Sequence, residues 1–359
     1  MSDTAHRVRA LIQASGLSQR DFANRVGLDD SKLSKSLTGV RRFSSDDLTR
    51  IAQLCEVTVD WLVTGIEQPV TMAARTTGGS AEHAIRTAQR YIGIRGEIAA
   101  LGYPQPWQPI SVDTTGTYRE QGTRLAAAAT ARLSAAGRSI VEPNLAGLVE
   151  TCFGADVTAI DLGTGFDGLA TSAAHAKLIV LATGTVPARQ RFTLAHELGH
   201  LLAGDDQDMH IDTDIYARTR SPSEMRANAF ASAFLMPEDL LRETCTTSLT
   251  PEGFANLSYE LQVTPSALAF RLLGLRLIDA GTCDRYKTIT AAKAAGMIGR
   301  SSEFAHRVTE ARRLRPPGLL VRDSYAAYES GAATLRPYAD LLEADVDELR
   351  QALELERDA

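Results

Sequence analysis

Arg191-Phe192-Thr193-Leu194-Ala195-His196-Glu197-Leu198-Gly199-His200-Leu201-Leu202 is the stretch whose reading decides the fold. On a helix, residues four apart share a face. His196 and His200 can therefore present two imidazoles to one Zn²⁺, while Glu197, one step round, reaches a water on the open side of the metal. A zinc ion that keeps one position open takes three protein ligands, and Glu224, within residues 223–237, offers the third from a second helix. Leu194, Ala195, Leu198, Leu201 and Leu202 make the first helix apolar around much of its circumference, which predicts burial. Two histidines and a glutamate in such a place need partners, and a cation supplies them. The expected cofactor is Zn²⁺, the expected ligands are His196, His200 and Glu224, and the expected general base is Glu197.

Upstream of this helix the hydrophobic period changes. Residues 157–162, 168–172 and 177–181 read as short strands punctuated by Gly163, Gly165 and the turn Ala173-Ala174-His175, which predicts a small antiparallel sheet. A sheet placed just before such a helix can offer an edge strand to an extended peptide. Asn228, one turn past Glu224, is a candidate to orient that carboxylate. His210, Tyr216 and His175 are the candidates to stabilise an oxyanion, each with a solvent-facing loop position as the plainer reading. Asp205, Asp206 and Asp208 read as a solvated loop, with Asp206 at the place where an extended HExxHxxGxxH motif has its third histidine.

Residues 1–65 read as an all-α domain. Val8, Leu11 and Ile12 mark a first helix, Ser18 caps a second carrying Phe22, Ala23 and Val26, and Gly27 ends it. Asp29 or Asp30 opens a third helix with Leu33 and Leu37, Ser44 caps a fourth with Leu48 and Ile51, and Val59, Trp61 and Leu62 mark a short fifth. Two short helices joined by a tight glycine turn are the geometry that lays a recognition helix in the major groove of double-stranded DNA. The run Leu17-Ser18-Gln19-Arg20-Asp21-Phe22-Ala23-Asn24-Arg25-Val26-Gly27-Leu28, with Leu33, Gly39 and Val59-Asp60-Trp61-Leu62, resembles the phage-repressor (XRE) class of helix-turn-helix domains. That resemblance implies phosphate contact by Gln19 and base contact by Asp30, Ser31, Lys32, Ser34 and Lys35. Arg41 and Arg42 in the next loop are further phosphate candidates. Asp29 and Asp30 depart from expectation, because they place negative charge where DNA approaches; docking of a protein instead of DNA is the competing role.

The chain has 359 residues, 44% hydrophobic and 23% charged, more than one core usually serves and ordinary for globular material. Its formal net charge of −6 excludes a protein coated along its surface in nucleic acid, but leaves room for a small DNA-reading domain. Cys55, Cys152, Cys245 and Cys283 form no CxxC pair, which suits inert thiols in a reducing cytoplasm. No apolar run reaches membrane-spanning length, so a cytoplasmic protein without a membrane partner is expected. Residues 66–80 read as a linker, 81–283 as the metal-binding domain, and 284–359 as a helical C-terminal region of unassigned purpose. The predicted class is α+β: an N-terminal helix-turn-helix domain, a central zincin-like metallopeptidase domain with a small antiparallel sheet, and the C-terminal helices.

Residues 118–280 are similar to the ImmA/IrrE family of metallopeptidases, whose signature pairs an Arg-Phe-Thr-x-Ala-His-Glu-x-x-His helix with a downstream Glu-x-x-Ala-Asn-x-Phe-Ala helix ending near Leu-Met-Pro. Arg191 to His200 and Glu224 to Pro237 carry both halves. The resemblance implies zinc-dependent cleavage of a partner transcriptional repressor; with the N-terminal domain, the expected protein is a DNA-associated endopeptidase, a homodimer on operator-like double-stranded DNA, that cleaves a repressor or antitoxin. The alternative is a DNA-binding regulator or antitoxin whose metallopeptidase domain serves as sensor or binding platform with little proteolysis.

Overall fold

The computed structural model describes residues 3–14, 18–55, 62, 79–111, 113–163, 166–205, 211–212, 222–245 and 249–357. They divide into two compact units, residues 1–76 and 77–359. The first holds α1 (Asp3–Ala14), α2 (Gln19–Arg25), α3 (Asp30–Leu37) and α4 (Ser45–Cys55). The Ser18 side chain accepts from the Asp21 N–H and Asp29 from the Ser31 N–H, so both helices of the expected pair begin on a side-chain cap. Between them Gly27 takes a φ of +66°, a conformation that costs glycine little. Ser44 and Asp47 cap α4 reciprocally. Val8, Phe22, Leu33, Ile51 and Leu62 close the core, and Arg7 Nε donates to the Leu62 carbonyl at 3.0 Å. Except for Leu62, the expected fifth helix lies outside the described residues, as does most of the expected linker.

The second unit opens with α5 (Gly79–Ala100), α6 (Tyr118–Ala135) and α7 (Leu145–Phe153). Strands β1 (Asp156–Ile160), β2 (Gly168–Ala173) and β3 (Ala176–Ala182) follow, then α8 (Pro187–Ala203), the two-residue β4 (Ile211–Asp212) and α9 (Pro222–Leu235). The sheet order is β1-β3-β2-β4. β2 pairs antiparallel with both β3 and β4, but β1 runs parallel to β3, so the sheet is mixed where an antiparallel one was expected. Periodicity shows which residues are extended; it carries no signal for pairing direction. Both faces are covered. Val157, Ala159, Ile179 and Leu181 join one core with Leu194 and Leu198 of α8, while alternate residues such as Asp156 turn toward α5.

Two glycines let helices close around the HExxH segment. A Cβ on Gly122 of α6 would lie 2.3 Å from the Arg226 carbonyl, and one on Gly199 of α8 would lie 2.9 Å from Phe230 Cδ1. α9 therefore packs hard against both neighbours. The remaining elements are helical: α10 (Glu238–Thr244), α11 (Pro251–Glu260), α12 (Pro265–Gly274), α13 (Ala280–Tyr286), α14 (Ala291–Met297), α15 (Ser301–Glu310), α16 (Gly318–Glu329), α17 (Arg336–Leu342) and α18 (Val346–Arg357). The C-terminal segment bonds to the sheet: Arg315 and Ala159 exchange both backbone hydrogen bonds at 2.9 Å, which covers the free edge of β1. No helix among the described residues is long and apolar enough to cross a membrane.

Candidate metal centre

Pro187 at the first turn of α8 and left-handed Gly204 at its C-cap, φ +72°, delimit the helix that carries the histidines. His196, Glu197 and His200 are at most 1% exposed, and Glu224 at the start of α9 is 5% exposed. The two histidine Nε2 atoms lie 3.1 Å apart. Glu224 Oε2 is 3.3 Å from His196 Nε2, and Oε1 is 3.3 Å from His200 Nε2. Tetrahedral zinc with bonds of about 2.0–2.1 Å has ligand–ligand edges of about 3.3–3.4 Å, and each of these histidine–carboxylate separations matches one such edge, one oxygen of Glu224 facing each imidazole. The residues present fit the ion.

The electrostatics agree. Burial alone would lower the His200 pKa, but Asp205, Glu224 and Glu197 outweigh it and hold the imidazole up at about 10. Burial would raise Glu224, and the two histidines outweigh it, keeping this carboxyl well below the usual range. Three carboxylates around two imidazoles make a pocket that attracts a cation.

Asp205 corrects the expectation of a solvated loop. Its Oδ2 sits 3.8 Å from His200 Nδ1, the ring nitrogen turned away from Glu224, and its carboxylate is gripped by Arg226 through Nε at 3.2 Å and through a second, shorter contact. Burial would raise the Asp205 pKa; His200 and Arg226 outweigh it and hold it at about 2. Arg226 is fixed in turn by Gln121 Oε1 at 2.9 Å. A carboxylate behind a ligating histidine sets the ring's orientation and basicity. Asn228 is half-buried on α9, and Arg226 of the same helix reaches the centre through Asp205. His175 is exposed in the β2–β3 turn, while Asp206, Asp208, His210 and Tyr216 lie outside the described residues.

In the first unit Gln19, Asp30, Ser31, Lys32, Ser34, Lys35 and Arg42 are all exposed on or beside α3, as a DNA-reading face requires. The acidic pair has local work: Asp29 caps α3, and Asp30 Oδ1 accepts from Gln19 Nε2 at 3.3 Å. Arg41 is tied down by Asp47 at 2.8 Å and by the Ser36 hydroxyl at 3.1 Å, which leaves less of it for phosphate than the sequence led us to expect.

Residues 150–273 match the IrrE N-terminal-like domain, and residues 4–62 match a helix-turn-helix domain. The chain joins a helix-turn-helix domain to an IrrE N-terminal-like domain. Within it, 99 residues are 35% identical to the radiation response metalloprotease IrrE of Deinococcus radiodurans, covering 26% of this chain and 30% of that protein. A stretch of 102 residues is 35% identical to the protein of the same description from Deinococcus deserti, covering 26% and 35%. The chain thus spans about a third of the length of these curated relatives. All four residues of the centre fall inside the IrrE-like domain. The structure of Bacillus thuringiensis PlcR with the peptide PapR7 and DNA aligns over 98% of this chain and 99% of that one at 11% identity, with a TM-score of 0.19, too slight a likeness to indicate a shared arrangement.

Proposed function

We propose that the protein is a DNA-associated, zinc-dependent endopeptidase that cleaves a partner repressor or antitoxin, with His196, His200 and Glu224 as ligands and Glu197 as general base. The observation that carries this reading is the buried convergence of the three ligand atoms, all within 4.8 Å of one another. Bound there, zinc supplies Lewis-acid polarisation of a water and of the scissile carbonyl. Glu197, on the neighbouring position of α8, takes the proton that the attacking water loses and returns it to the leaving amine. Asp205 holds the His200 ring from behind.

Metal analysis tests the site. The full-length protein should carry about one zinc per chain, and a His196→Ala, His200→Ala double variant essentially none. Equal zinc in both would remove the site. Incubation with the protein encoded beside its gene, with and without a chelator, tests the reaction; cleavage that survives chelation would show that it does not use this centre.

We further propose that the first unit acts at an operator and that the protein does so as a homodimer, in which two half-sites one helical turn apart add their contacts. Binding should be modest and should fall steeply with salt, because Lys32 and Lys35 act against Asp29 and Asp30. Lys35→Ala should reduce the log–log salt slope by about 0.9. A salt titration on DNA upstream of the gene measures this; binding indifferent to both salt and Lys35 would make the unit a protein-docking module. The fused DNA-binding domain is what favours the second reading, a regulator whose IrrE-like domain senses or binds and seldom cleaves.

A further inference from the structure

On the flank of α8, before the histidines, lies a half-open cavity of about 640 Å³. Leu145, Val157, Leu181, Leu194, Val263 and Phe304 give it an apolar wall. Its size and lining are those of small-molecule sites, which pair apolar walls with a few fixed polar groups. Here the charged groups are four arginines, Arg191, Arg307, Arg313 and Arg315, with one acid, Glu310, beside neutral polar side chains such as Asn144 and Gln262.

Arg191 lines the cavity and is 7% exposed. Its terminal nitrogens donate to the carbonyls of Glu142, at 3.1 Å, and Ile140, but its buried Nε has no hydrogen-bond partner among the described residues. It makes no ion pair there, and the charge that most affects it is a second cation, Arg307. Burial, reinforced by Arg307, pulls its pKa down to about 10. Arg307 donates to the Tyr259 carbonyl at 3.0 Å and lies 3.9 Å over the Tyr259 ring. The acid one turn before it, Glu303, is engaged by Arg300 at 2.8 Å and by the Tyr259 hydroxyl at 3.1 Å. The other cations of the lining are neutralised: Arg315 by Glu150, and Arg313 by Glu310 at 2.9 Å. Two like charges, neither in an ion pair among the described residues and with Glu303 and Glu310 engaged by other arginines, therefore share a largely apolar recess, an arrangement that costs stability until an anion enters.

We propose that this cavity binds a small amphiphile, its carboxylate or phosphate head between Arg191 and Arg307 and its apolar body along Leu145, Val157, Leu194 and Phe304. The site needs both parts of the second unit, because Phe304 and Arg307 belong to α15 and Arg191 to the helix that continues into His196. It does not depend on the metal reading.

Calorimetry on the full-length protein with octanoate, octyl phosphate and 1-octanol tests the assignment. At least one of the two anions should bind with about one site per chain, and octanol at least about tenfold more weakly, since a charge-assisted hydrogen bond in a dry site is worth about that factor or more. The preferred anion identifies the head group. Arg191 also fastens residues 140–143, so Arg191→Met can fail to fold; Arg307, on the face of α15, carries the test instead. Arg307→Met should weaken the anion by about tenfold and leave octanol unchanged, and Arg307→Lys should recover part of the loss. Octanol binding as well as the anions, an Arg307→Met protein that binds like wild type, or no binding of either anion would each overturn the proposal.

Discussion

Glu197→Gln is expected to lower the rate of peptide hydrolysis by about 10²–10⁴-fold or more while leaving the zinc content at the wild-type value. The amide is nearly isosteric with the carboxylate and keeps α8 packed, but it cannot accept a proton from water. Glu224→Ala should do the opposite to the metal. It removes the one donor that α9 contributes, 3.3 Å from each histidine, and so should empty the site. Measuring zinc and cleavage on both variants separates the roles. If Glu197→Gln loses its zinc and Glu224→Ala keeps it, the two glutamates have been assigned the wrong way round.

The contrast between these residues and Asp205 shows what was legible in the sequence. His196, Glu197 and His200 lie within one helical segment, so their geometry follows from the 3.6-residue period alone, and Glu224 could be found because it is the acid in the first turn of the next long helix. Asp205 follows the Gly204 C-cap, and only the placement of Arg226 in α9 turns it toward His200 rather than solvent. A weak signal existed: the arginine sits two positions after the Glu224 ligand candidate. In the first unit the caps Ser18, Asp29 and Ser44 were readable because capping is local. The parallel β1–β3 pair was not, since pairing direction depends on contacts far along the chain.

The purpose of residues 284–359 was illegible for the same reason, and it leads to the expected effect on stability. Arg95 of α5 is 1% exposed and donates through Nε and one terminal nitrogen to Asp156 Oδ2, at 3.0 and 2.7 Å, and through the other to Asp323 Oδ2 at 2.6 Å. Its partners are 61 and 228 positions away, so no local pattern announces them. Asp156 opens β1 and also accepts from the Leu320 N–H at 2.9 Å, so one buried knot ties α5, the sheet and α16 together. Burial lifts the Asp156 pKa to about 6 even with Arg95 beside it. Arg95→Met should therefore destabilise the second unit by about 3–5 kcal/mol, because it leaves the buried Asp156 without a cation and Asp323 with Arg322 alone. The sign with pH follows. A carboxyl whose folded pKa lies above its ordinary 3.8 penalises the fold as pH rises through that interval, and losing Arg95 raises the folded pKa further. The deficit of Arg95→Met relative to wild type should accordingly be smallest near pH 4 and grow toward neutrality, as measured by denaturant unfolding across that range. A deficit below about 1 kcal/mol at pH 7, the magnitude of an exposed pair, would mean that the C-terminal helices are held to the sheet by their apolar contacts and the Arg315–Ala159 bridge rather than by this charge cluster.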